Sequence, residues 1–165
     1  MQAENVAAVV GKGLHLDVVV NGVSADALVD TGATVSLLSE KIVRKWSEEN
    51  QAMVTATDIK VQLADGKSCP VAGEVEAELQ LAGNCVKHRF IVASLGSDVL
   101  LGLDFMKNEQ CVIDITNRCL EWGGIMLPLR ETADRQQTCR VTVLETVKCL
   151  LGQKCLLREV LNVVA

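Results

Sequence analysis

Tyrosine is absent from this chain of 165 residues, and it has only two Phe and two Trp. Proteins that grip single-stranded nucleic acid stack its bases on aromatic faces, so that class is disfavoured. No basic block makes up for the shortage. Lys and Arg total 16 against 21 Asp and Glu, and the net charge of −5 is spread along the chain. A nucleic-acid partner calls for a basic footprint instead. No apolar run approaches the roughly 18 residues needed to span a bilayer. No basic region leading into an apolar core marks a secretory leader, since Glu4 and Asn5 stand where one belongs. The expected partners therefore include neither nucleic acid nor membrane. The seven Cys are odd in number and form no C-x2-C pair, and His15 and His88 are isolated. That pattern argues against a metal centre and for reduced thiols in an intracellular, cytoplasmic setting. No cofactor is expected.

What is present is apolar: 49 % of the chain, enough to exclude wholesale disorder and to build one domain with a real core. Leu14 to Val20 and Val23 to Val29 read as strands about Asn21-Gly22, a strong signal for a tight hairpin. Val23, Ala25, Ala27 and Val29 share one face of the second strand, with Ser24 and Asp26 on the other. Ser39 is a candidate N-cap, and Ile42, Val43 and Trp46 predict one short amphipathic helix to about Glu49. Ile59 to Leu63 and Ser68 to Leu81 form the arms of a second hairpin about Ala64-Asp65-Gly66-Lys67. Val75, Ala77, Leu79 and Leu81 alternate there with acidic and polar residues, so one face is buried and the other wet. Pro70 lacks an N–H and belongs at an edge. His88 to Ala93, Val99 to Leu101, Cys111 to Ile115, Cys119 to Trp122 and Ile125 to Leu129 complete the strands, and Val6 to Val10 is a further apolar run. Many short strands with turn signals predict an all-β barrel or sandwich. Arg130 to Gln137 reads as a polar linker. The domain is thus expected over residues 1–130, with a linker and tail of uncertain structure over 131–165.

The chemistry concentrates between Ala27 and Ser39. An apolar strand delivers Asp30-Thr31-Gly32 and emerges into small and apolar residues. A lone carboxylate in dry surroundings is costly, so one placed there is a candidate for acid–base work. Gly32 has no β-carbon and lets a backbone approach. Asp-Thr-Gly by itself is also what a strand ending in a turn looks like. Two further features sharpen it: Ala-Leu-Val before it, and Leu100-Leu101-Gly102-Leu103-Asp104 downstream, with a hairpin between.

In that order these elements resemble the retropepsin-like aspartic proteases, the retroviral and Ty3/gypsy retrotransposon family, over about Val6 to Leu129. The resemblance implies a closed β-barrel with one or two short helices, a flap hairpin and an active site at a homodimer interface. Such enzymes hydrolyse peptides with two carboxyl groups around one water, one taking a proton and one giving it. The chain supplies a single Asp-Thr-Gly, so a dyad requires two copies related by a two-fold axis. By resemblance Asp30, Thr31 and Gly32 form the catalytic loop, with Thr31 bracing it across the dimer. Ala33, Leu28 and Leu100 line the substrate pocket, and Ala64, Asp65 and Gly66 form the flap tip. Asp104 reads as a helix cap or ion-pair partner. The implied function is aspartic endopeptidase action on a peptide or polyprotein, such as retrotransposon polyprotein processing. The alternative is a silent dimerisation or peptide-binding module of the same fold.

Overall fold

The structure, a computed structural model, describes residues 13–63, 66–131 and 141–142. Val6 to Val10, Ala64, Asp65 and most of the tail lie outside the described residues.

The expected first hairpin forms from β1 (Leu14–Val20) and β2 (Val23–Val29). Asn21 and Gly22 take φ of 44° and 81°, the left-handed pair that a two-residue turn between twisted strands requires. The Asn21 backbone N–H donates to Glu78 O, and its side-chain oxygen accepts from the Glu78 N–H, both at 2.9 Å. This pins the turn to a distant strand.

After β3 (Leu37–Ser39) the chain departs from expectation. One helix to Glu49 is replaced by two single turns, α1 (Glu40–Val43), capped by Ser39, and α2 (Glu48–Gln51). Ser47 causes the break: its hydroxyl accepts from Asn50 N and starts a new turn rather than continuing the old one. Trp46 marks the kink, buried with its indole N–H donating to Val20 O at 3.1 Å.

β4 (Val61–Leu63) and β5 (Ser68–Cys69) are the arms of the second hairpin, and β6 (Val71–Leu81) follows after exposed Pro70. β6 shows the anticipated alternation, with Val75, Ala77, Leu79 and Leu81 buried. β7 (Asn84–Ala93) pairs with it along its whole length. β8 (Val99–Leu101), α3 (Leu103–Asn108), β9 (Val112–Asp114), β10 (Cys119–Trp122) and β11 (Ile125–Pro128) come next. β12 is Arg130–Glu131 and β13 is Val141–Thr142.

Six strands close on themselves in the order β1-β2-β8-β3-β7-β6, with β6 returning to β1. The fold is thus a closed barrel with a few short helices, and the sandwich alternative falls away. β12 adds to the outer edge of β1, which corrects the reading of Arg130 and Glu131 as linker. Two residues are too short to show a strand period, and these are held by charge instead. Arg130 reaches Asp17 at 2.7 Å and Asp26 at 2.9 Å. Asp17 and Asp26 face each other across β1 and β2, and His15 Nδ1 lies 2.6 Å from Asp26.

Alternation sorts the apolar residues into two bodies. The barrel interior holds Val18, Val20, Ala27, Val29, Leu79, Phe90, Leu101 and Phe105 with their neighbours. The opposite face carries Leu28, Leu100, Leu37 and Ile91, which sit side by side on β2, β8, β3 and β7. Val61 and Cys69, from the arms of the β4–β5 hairpin, belong to this second body, with Ile59 and Val71 packed against it. The hairpin therefore roofs an apolar floor at the mouth of the barrel.

Candidate active site

Asp30 stands where β2 leaves the barrel. Its backbone N–H donates to Leu101 O at 3.0 Å, extending the parallel pairing of β2 with β8 by one step. The loop then turns tightly. The Gly32 N–H donates to Asp30 Oδ1 at 2.8 Å and the Ala33 N–H to the Asp30 carbonyl at 3.2 Å. Asp30 is only 3 % exposed. Burial penalises its charged form and outweighs the bonds from Gly32 and Ala33, so its pKa rises from 3.8 to about 6. This is a carboxyl whose charge state changes in the mildly acidic range.

The partner element holds the loop from behind. Gly102 follows β8, and a β-carbon there would meet Val35 O at 2.7 Å and Ala33 O at 2.9 Å. No side chain fits. The Leu103 N–H donates to Ala33 O at 2.7 Å and the Asp104 N–H to Thr34 O at 3.2 Å. Asp104 then fastens Ser36 twice, accepting from its N–H at 3.0 Å and its hydroxyl at 2.7 Å. The same hydroxyl accepts from the Gly102 N–H at 3.0 Å. His88 Nε2 lies 3.3 Å from Asp104 Oδ2, the oxygen that the Ser36 N–H also reaches, its ring edge-on to Phe90 and Phe105. Burial works to raise the Asp104 carboxyl. The bonds from His88, Ser36 and the Phe105 N–H prevail and hold it below the usual carboxylate value. Asp104 is thus a hydrogen-bond acceptor that positions the loop. Ser36 escaped notice. A hydroxyl fully buried within Val35-Ser36-Leu37-Leu38 is the signal that marks it.

The structure brings Asp30, Thr31, Gly32 and Ala33 into one loop, with Leu28 and Leu100 adjacent on the floor beneath the roof. Ala33, Leu28 and Leu100 are fully buried in the single chain. Gly32 is exposed, and Thr31 is half-buried with no hydrogen bond to a described residue. Gly66 is exposed at φ 81° and its carbonyl accepts from Gln62 Nε2 at 2.8 Å, a turn geometry suited to a hairpin tip. Ala64 and Asp65 lie outside the described residues. Among the described residues no group of three or more His, Cys, Asp or Glu is placed to hold a metal ion. No helix among them is long and apolar enough to cross a membrane.

A closed barrel whose first hairpin delivers Asp-Thr-Gly against a Leu-Leu-Gly strand is a retropepsin-like domain. The chain belongs to the family described as gag-polyprotein putative aspartyl protease, whose sequence profile matches residues 16–108. It is similar to the DDI1 homolog of Leishmania major, 26 % identical over 117 residues, which cover 70 % of this chain and 29 % of that protein. Against DNA damage-inducible protein 1 of Neurospora crassa identity is 30 % over 125 residues, covering 73 % and 27 % respectively. The chain thus spans under a third of the length of these relatives. The retroviral protease-like domain of Ddi1 from Leishmania major superposes with a TM-score of 0.59 at 23 % identity, over 72 % of this chain and 90 % of that one, a likeness of fold.

Proposed function

We propose that this chain is an aspartic endopeptidase that works as a homodimer, pairing Asp30 with Asp30 of a second copy, on a polyprotein of retrotransposon origin. The observation that carries it is a buried carboxyl at the barrel mouth, pushed to about 6, with one such loop per chain. A second carboxylate brought close raises one of the two pKa values further, so the pair holds a single shared proton. The ionised member takes a proton from water as its oxygen bonds to the scissile carbonyl carbon, and the protonated member gives its proton to the carbonyl oxygen. Collapse breaks the C–N bond, and the amine leaves with a proton from the dyad. The Thr31 hydroxyl, without a hydrogen bond among the described residues, is free for a role across the dimer. The floor of Leu28, Leu100 and Leu37 favours apolar side chains beside the cut, with the peptide lying as a strand under the β4–β5 roof.

The test is cleavage of an unfolded protein by the full chain at mildly acidic pH, beside Asp30→Asn. Loss of cleavage in the variant, and block of the parent by a statine-type transition-state mimic, establishes the enzyme. Equal behaviour of the two chains, with the parent a verified dimer, leaves the silent module instead.

A further inference from the structure

The apolar floor does not end at Ile91. Val35, Ile59 and Ile91, all members or neighbours of the second apolar body, also form one wall of a separate cavity of about 370 Å³. Its other walls are polar. Glu76 and Arg89 face each other across β6 and β7, Lys87 lies beside them, and Glu109 closes the far side just beyond α3. The cavity thus borders the apolar body that includes Ala33 of the Asp30 loop.

The local charges do not cancel. Arg89 is bound to Glu74 at the border of the cavity. Asp104, at its base, is satisfied by Ser36 and His88. Among the described residues, Lys87 stands opposite Glu78 across β6 and β7, and Glu76 and Glu109 add two further carboxylates to the lining, so acid remains in excess. Glu109 accepts from Trp122 Nε1 at 3.1 Å, a neutral donor that leaves its charge uncompensated. A peptide side chain entering from the cleft would lay its apolar stem along Val35 and Ile59 and its head among these carboxylates. The side chains shaped that way are Lys and Arg.

We propose that this cavity is an outer specificity subsite for a cationic side chain, Lys or Arg, of the peptide, placed away from the bond that is cut. It rests on the endopeptidase reading of Asp30. The experiment uses peptides identical around the cut that carry Lys, Ala or Glu at successive flanking positions, with the full chain and with its Glu76→Lys variant. At one flanking position, Lys over Glu raises kcat/KM about two- to five-fold, the range of rim charge pairs, and added salt shrinks the ratio. Glu76→Lys lowers or inverts that ratio. Equal cleavage of all peptides by the parent, or an unchanged ratio in the variant, overturns the subsite and leaves the protease standing.

A binding arm separates the two readings. Asp30→Asn is titrated with the same peptides while amide NMR shifts of Lys87, His88 and Arg89 are followed. If the parent cuts nothing, Lys-selective shifts there still support the cavity as a cation site, and shifts indifferent to the flanking charge overturn it.

Discussion

Asp30 runs against the habit of surface carboxylates, which lower their pKa on folding. Its folded value lies near 6, above the unfolded 3.8, so its contribution to stability is complete below pH 3.8 and is lost as pH rises towards 6. At neutral pH the buried charge costs on the order of 3 kcal/mol. Asp30→Asn is therefore expected to abolish cleavage and yet to unfold at higher denaturant near pH 7, with the advantage vanishing towards pH 4. Denaturant midpoints at several pH values check this. In the parent, cleavage is expected to fall as pH rises through and above 6, where the pair gives up its shared proton. A pH–kcat/KM profile reads that limb directly.

The loop and the strand behind it act as one element, because the close approach at Gly102 and the Ser36–Asp104 bonds join segments 66 to 68 residues apart. Gly102→Ala drives a β-carbon into the carbonyls of Val35 and Ala33, and is expected to cost about 1–3 kcal/mol, the range for overpacking. Ser36→Ala strands the Gly102 N–H and removes one of the two bonds to Asp104 Oδ1, which keeps the Phe105 N–H. It is expected to cost a similar 1–3 kcal/mol and to lower kcat more than it changes KM. Chemical denaturation and steady-state kinetics measure the two effects. Elements of this length also show what could be read beforehand. The Asn21-Gly22 turn and the alternation of β6 are local patterns, and the sequence displays them openly. Asp30-Thr31-Gly32 was visible for the same reason. The Ser36–Asp104 fastening was not, since nothing near either residue names its partner. The split at Ser47 was missed because apolar spacing through Trp46 outvoted one competing hydroxyl.

At the scale of the whole molecule, one Asp-Thr-Gly per chain makes activity, on the proposed reading, a property of pairs. Specific activity is expected to fall on dilution. Mixing the parent with an equal amount of Asp30→Asn should cut the activity per parent subunit to about half, because random pairing yields mixed dimers with a single carboxylate. Proportional activity in the mixture, at concentrations where sedimentation shows dimers exchanging, speaks for a self-sufficient monomer. The barrel's outer edge carries a different consequence. Asp17 and Asp26 oppose each other directly, and Arg130 is the cation that spans them. A chain ending at Leu129 keeps the Asp30 loop, the roof and all six barrel strands, yet leaves two acids confronting each other with His15 on Asp26 and no arginine spanning them. Such a trimmed protein should melt earlier than one ending at Glu131, with the gap closing in strong brine, so the place where the molecule is cut for expression decides how sturdy its first hairpin proves to be.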